Sequence, residues 1–318
     1  MKFKIILLLV LLTANLPTVT AQIAKPQRFI AVTIDDLPVV STRRDIAARR
    51  EITTKILEHL NAAKVPAVGF VNETQLFPNG KRDEAQVDLL RQWIDAGLEL
   101  GNHTFSHLSL NKNSLEKYQA DIIQGETVTK ELLAGKNNAI RYFRHPYLIT
   151  GEKLATKRKL EQFLKERKYT IAPVTFDNDD YLFARAFDNV TTRGDEAAKR
   201  RVGAAYVPYM ESKADYWERQ SVKLFGREIK QILLLHGNSI NAERLGELLA
   251  MFKNRGYQFV TLDEALQDKA YQLPDNFTGK YGVSWLHRWA FDKGNNFVLP
   301  DEPPTPDFVR VEVERESK

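Results

Sequence analysis

The sequence predicts an α/β chain of parallel strands with surrounding helices, and three observations carry that prediction. Short apolar, β-rich runs alternate with longer amphipathic stretches from residue 29 to residue 270, and such alternation calls for parallel strands joined by right-handed crossovers. Helical patterns close on glycines placed as stops, at Gly97 and Gly256. Polar outliers fall at the C-terminal ends of the strand-like runs, the rim where parallel α/β folds collect ligands and catalytic groups. Seven strands fit either an open doubly wound sheet or a barrel with one unit missing. No GxGxxG or Walker-type glycine loop follows the first strand, which removes support for nucleotide binding.

Taken in order, the chain opens with Lys2 and Lys4, the apolar run Ile5–Leu12 and the small residues before Gln22. That pattern is a secretory signal peptide over residues 1–21, too short in its apolar part to span a bilayer. Export to a bacterial periplasm or exterior follows, and the absence of cysteine is compatible with it because a core of this size needs no disulfides. The formal charge of +5 falls to 5 − 2 = +3 without Lys2 and Lys4. Both signs are interspersed, with no basic stripe to suggest nucleic acid, and no later run reaches transmembrane length. Strands are predicted at Phe29–Asp35, Ala67–Val71, Leu98–Asn102, Ile140–Arg144, Thr170–Thr175, Gln231–His236 and Gln258–Leu262. Helices are predicted at 43–63, 83–96, 114–134, 152–167, 186–220, 241–255 and 263–270. The segment 182–230 is long for one crossover and contains Pro208, so a kinked or split helical excursion is expected there. Residues 271–318 hold the Pro- and acid-rich stretch Leu299–Pro306, expected as an extension packing on or strapping the 22–270 domain.

The chemistry concentrates around Gly101–His107. His103 and His107 are four residues apart, so one helical turn would set both imidazoles on one face. Two neutral imidazoles and a carboxylate make a three-ligand site for a divalent ion with an open position. Adjacent acids, Asp35 and Asp36, end the first strand, and like charges in a partly buried site repel unless a cation holds them. Arg144-His145-Pro146-Tyr147 follows the fourth strand, Asp177, Asp179, Asp180 and Tyr181 follow the fifth, and His236 ends the sixth.

In this order the motifs resemble those of the polysaccharide deacetylase (NodB-homology) family, whose fold is a distorted (β/α)7 barrel. Thr33-Ile34-Asp35-Asp36, His103-Thr104-Phe105-Ser106-His107, Arg144-His145-Pro146-Tyr147, Asp177-Asn178-Asp179-Asp180-Tyr181 and Leu234-Leu235-His236 carry the resemblance. It implies that Asp36, His103 and His107 bind the metal and that Asp35 is the general base, held ionised by Arg144. It implies His236 as the general acid, supported by Asp180, with the backbone N–H of Tyr147 facing the oxyanion and Leu234 and Tyr181 walling an acetyl-sized pocket. Zn²⁺ is the expected ion, from two imidazoles and one carboxylate with an open position, and Co²⁺ or Ni²⁺ would be accommodated by the same ligands. The expected activity is removal of acetyl groups, N-acetyl ahead of O-acetyl, from an acetylated carbohydrate. A hydrolase of a C–N bond in a smaller compound is the alternative within enzymes, and a catalytically silent carbohydrate-binding protein the alternative outside them.

Other polar residues have plainer readings. Asp177 and Asp179 suit a turn, His145 local hydrogen bonding and His59 a helix interface, while His287 is balanced between packing and lining the cleft. Trp285 and Trp289 could stack on sugar rings, although buried aromatics are commoner. Leu37-Pro38 in place of glycine, Tyr181 in place of tryptophan and the long 182–230 segment depart from the family pattern, and all three are expected near the substrate rather than the metal.

Overall fold

The structure, a computed structural model, describes residues 27–134, 139–294 and 301–315. The predicted signal peptide and the start of the Leu299–Pro306 stretch lie outside the described residues. The first strand, β1 (Arg28–Leu37), is buried along most of its length and is the axis of the fold. On one side it pairs in parallel with β2 (Val68–Val71), followed by β3 (Glu99–Asn102), β4 (Tyr142–Phe143) and β5 (Thr170–Ile171); it also pairs with β6 (Gln231–His236), and β7 (Tyr257–Phe259) pairs with its first residues. The chain after β5 runs on to Phe176, whose N–H donates to the Ile232 carbonyl at 3.0 Å and whose carbonyl accepts from Leu234 N–H at 3.2 Å. That bridge to β6 closes the sheet into the distorted (β/α)7 barrel.

Helices cover the strands: α1 (Ile46–Ala63), α2 (Glu84–Asp95), α3 (Leu115–Gln124), α4 (Thr127–Ala134), α5 (Leu154–Glu166), α6 (Asp180–Thr192), α7 (Glu196–Phe225), α8 (Ser239–Asn254) and α9 (Leu262–Leu266). In α1 the apolar positions Ile52, Ile56 and Leu60 recur every four residues and are buried, which places one stripe on the barrel. Asp45, Asp83 and Ser114 cap α1, α2 and α3 by accepting backbone N–H bonds, as short polar side chains do before a helix.

Several boundaries differ from the sequence prediction. The helix expected at 114–134 is two, broken after Gln124. The long excursion is also two helices, but the break falls at Arg193–Asp195, where Gly194 has φ +70°, while Pro208 lies inside a continuous α7. The fourth, fifth and seventh strands are shorter than predicted, and the last predicted helix stops at Leu266 before a 3₁₀ turn at Lys269–Gln272. Beyond residue 270 the chain is more than a strap: it forms α10 (Trp285–Asp292) and α11 (Asp307–Glu314). α11 packs on α6, where Asn189 Nδ2 donates to the Glu312 carbonyl at 3.0 Å and Val309 is buried. No helix among the described residues is long and apolar enough to cross a membrane.

Candidate active site

Residues in adjacent strand positions point to opposite faces, so two neighbouring acids reach one cleft only if the strand breaks its alternation. β1 does so: its register with β2 shifts between Ile34 and Leu37, and Asp36 adopts φ +61°, uncommon outside Gly, Asn and Asp. Gln75 Nε2 donates to the Asp36 carbonyl at 3.0 Å, and Arg49 in turn donates to Gln75 Oε1 at 2.9 Å, holding the turned backbone. Asp35 continues the strand into the barrel interior opposite His236, with which it is in register. Leu37 is fully buried and fills the space over Gly69, where a Cβ would lie 2.2 Å from its Cδ1. It therefore belongs to the core, which corrects the expectation that it stands near the substrate.

His103 and His107 are not on a helix. They sit in a loop after β3 in which Thr104 and His107 have φ of +66° and +54°, and this loop, not a helical turn, brings the rings to 4.9 Å. Asn102 Oδ1 accepts Thr104 N–H at 2.7 Å, and the Asp121 carboxylate accepts both the N–H and the hydroxyl of Ser106, at 2.9 and 2.8 Å. Gly125 lets the loop lie against the end of α3: a Cβ there would be 2.4 Å from the Thr104 carbonyl carbon.

The imidazole of His103 is nearly inaccessible, and its Nδ1 lies 2.8 Å from the Arg144 carbonyl. A carbonyl only accepts, so Nδ1 carries the proton and Nε2 presents its lone pair toward Asp36 Oδ1, 3.6 Å away. His107 Nε2 is 3.4 Å from the same oxygen. Burial lowers the pKa of both histidines and keeps them neutral, as metal ligation requires. Asp36 Oδ1 is itself buried without a hydrogen-bond partner, and the three ligand atoms lie within 4.8 Å of one another. An orphaned carboxylate oxygen facing the Nε2 atoms of two neutral imidazoles fits a divalent cation.

Behind the triad, Arg144 is fully buried, with Nη1 at 3.3 Å from both Asp35 oxygens, Nη2 at 3.0 Å from Thr33 Oγ1 and Nε at 2.8 Å from the Ala172 carbonyl. Burial pushes the Asp35 carboxyl up to about 6, against the pull of Arg144 and His236. His236 Nδ1 is 2.6 Å from Asp180 Oδ1. Burial alone would lower the imidazole, yet the Asp180 charge and hydrogen bond, helped by Asp36 and Asp35, raise it to about 10. Asp180 is tied down by three further donors to Oδ2: His236 N–H, Asn238 Nδ2 and Asn241 Nδ2, at 2.8, 3.1 and 2.7 Å. Burial opposes its ionisation, but His236 and these donors hold its pKa low.

The cleft measures about 560 Å³, and eight of the ten predicted site residues line it; Arg144 and Asp180 stand behind the lining. Tyr147, at φ +57°, sets its ring 4.3 Å from that of His107, and Tyr181 stands 6.4 Å from the His236 ring. Asp177 and Asp179 occupy the turn before α6 and also line the cleft, which their composition did not signal. Gly282, from the segment beyond residue 270, touches the cleft as well, its Cα so near Tyr147 that a Cβ would lie 1.8 Å from that carbonyl oxygen. His59 Nε2 sits 3.2 Å from the Ala242 carbonyl between α1 and α8. His145 stacks edge-on against Phe143 at 4.9 Å. His287 packs on Trp217, centroids 4.7 Å apart, with Nε2 3.1 Å from Tyr216 Oη. Trp285 and Trp289 are buried beside a separate cavity of about 440 Å³.

Residues 22–164 match the family model described as polysaccharide deacetylase. Two proteins of Bacillus cereus, each described as a peptidoglycan-N-acetylglucosamine deacetylase, are similar to the chain. One is 29% identical over 164 residues, 51% of this chain and 49% of its own length; the other is 24% identical over 255 residues, 79% of this chain and 94% of its own. The chain thus spans about half the length of the first. Among solved structures, a peptidoglycan deacetylase from Bacillus subtilis is 19% identical with a TM-score of 0.48, covering 78% of this chain and 94% of that one. A CE4 family pseudoenzyme from Bacillus anthracis is 16% identical with a TM-score of 0.49, covering 76% and 66%.

Proposed function

The chain belongs to the polysaccharide deacetylase family, and from that premise we propose that it is an exported hydrolase that removes acetyl groups, N-acetyl ahead of O-acetyl, from a carbohydrate. The observation that carries the proposal is the orphaned Asp36 Oδ1 between the Nε2 atoms of His103 and His107, flanked by a carboxylate and a charged imidazole. Asp36, His103 and His107 hold a divalent ion, Zn²⁺ by donor type, with Co²⁺ or Ni²⁺ accommodated by the same set. When bound, the ion supplies Lewis acidity, which polarises a carbonyl and lowers the pKa of water toward about 7.

The remaining steps belong to the protein's own groups. Asp35, with a pKa of about 6, is ionised at neutral pH and takes a proton from the attacking water; Arg144 keeps its carboxylate oriented and opposes the cost of burying it. The backbone N–H of Tyr147 stabilises the negative oxygen that develops on the acetyl carbon. His236, protonated at neutral pH because Asp180 faces it, gives its proton to the departing nitrogen, and each such acid or base is typically worth ~10²–10⁴ in rate. Leu234 and Tyr181 wall the acetyl methyl. Residues 1–21 direct export to a periplasm or exterior, where such a glycan is met.

Acetate release by the metal-loaded protein, measured on N-acetylated and O-acetylated oligosaccharides beside a panel of small amides, tests the reading. Release from the N-acetylated glycan is expected. Turnover confined to the small amides would replace the substrate class, and stoichiometric glycan binding with no acetate in Zn²⁺, Co²⁺ or Ni²⁺ would make the protein a carbohydrate binder.

A further inference from the structure

Asp177 is the acid of the cleft that the chemistry above leaves without a partner. Asp35 faces Arg144, Asp36 faces the two imidazoles, and Asp179 Oδ2 accepts the Thr305 hydroxyl at 2.6 Å. Asp177 takes only the N–H of its neighbour Asn178, at 2.9 Å on Oδ1; among the described residues no ion pair neutralises it. Lys213, the cation whose charge most offsets it, is engaged by Glu302. Arg144 and Arg288, the other cations that feel its charge, are already paired with Asp35 and Asp275. Burial raises the Asp177 carboxyl to about 6, as expected of a desolvated acid lacking a matched cation. The turn that carries it is nevertheless fixed, since Trp217 Nε1 donates to the Asp177 carbonyl at 2.8 Å and Asp179 N–H donates to Tyr209 Oη at 3.0 Å.

A pre-positioned carboxylate on a cleft wall, with acceptor capacity unused, suits a ligand that brings donors. We propose that Asp177 selects the substrate by charge: it accepts hydrogen bonds from hydroxyl or ammonium groups on the sugar beside the reacting acetamide and disfavours a ring bearing a carboxylate. The substrate class is then a neutral or partly amino-bearing glycan rather than an acidic one. This rests on the deacetylase reading above.

The test uses the metal-loaded full chain and three tetrasaccharides: fully N-acetylated glucosamine, the same chain with one free amine, and one alternating with N-acetylmuramic acid. The native protein should prefer the first two over the third. Asp177→Asn keeps an acceptor for Asn178 N–H but loses the charge, and should shrink the amine-to-carboxylate preference about tenfold, mainly through KM, a scale set by single charge contacts at a binding surface. Bound metal should not change. Asp177→Ser is the second variant and should do the same. An unchanged preference in both variants, or a loss confined to kcat, would overturn the inference while leaving the deacetylase reading intact. Absence of acetate from all three sugars with native protein would sink that reading instead. Calorimetric binding of the same sugars then decides the role of Asp177, which fails if native protein and Asp177→Asn rank them alike.

Discussion

Replacing Asp180 with asparagine isolates the group that keeps His236 charged. The two side chains meet at 2.6 Å in a site where Asp180 is fully buried. A rise of the imidazole from its ordinary 6.5 to about 10 corresponds to roughly 5 kcal/mol at 1.36 kcal/mol per tenfold change in proton affinity, an upper bound consistent with the ~3–5 kcal/mol lost when one partner of a buried pair is removed. The sign is set by the folded value being the higher one. The pair's contribution is fully present below pH 6.5, declines as pH rises and is gone above about 10. Asp180→Asn should flatten that decline in the metal-free protein, and the His236 resonance, followed by ¹⁵N NMR, should titrate near or below 6.5 instead of near 10. With the acid neutral at pH 7, amide turnover should fall ~10²–10⁴ while metal content stays, and substrates with good leaving groups should be spared. A native His236 that titrates near 6.5, or an Asp180→Asn protein that still titrates near 10, would refute the reasoning.

Other outcomes follow from the same geometry. Asp36→Asn should lose metal and activity together, since a neutral amide is a poor third ligand; Asp35→Asn should keep the metal and lose most turnover, and metal analysis with acetate release on both variants separates the roles. In chelator, native protein should lose about 3 kcal/mol relative to Asp35→Asn as pH rises from about 4 to 6, because the folded carboxyl is raised from 3.8 to about 6 and its ionised form is the disfavoured one; denaturant melts across that range check it. Gly125→Ala should press on the Thr104 backbone, cost roughly 1–3 kcal/mol as overpacking does, and weaken metal binding measured by calorimetry. Gly282→Ala should raise KM with metal retained, because its Cβ would displace the Tyr147 carbonyl without touching the three ligands.

The sequence by itself determined the alternation of strands and helices, and hence parallel strands whose ends carry Asp35, Asp36, His103, Arg144 and His236; the barrel rather than an open sheet came only from the motif resemblance, and the Phe176 bridge to β6 closes it. It did so because burial imposes periodicity on strands and helices, and because rim chemistry needs particular residue types at particular strand ends. It could not determine how His103 and His107 meet, since four-residue spacing suits a helix while the actual loop depends on Asp121, Asn102 and Gly125, remote groups whose hydrogen bonds and close approach leave no local pattern. The second acid's turn into the cleft was likewise illegible: it depends on the bulge against β2 and on Gln75. Residues 271–318 were expected to pack on or strap the domain, but their composition did not show that they form α10 and α11 or that Gly282 reaches the cleft. Asp177 passed as a turn residue because exposure and charge pairing are properties of neighbours in space. Local propensity fixed the elements; contacts between residues far apart in sequence decided which polar atoms were left unpaired, and those unpaired atoms mark the site.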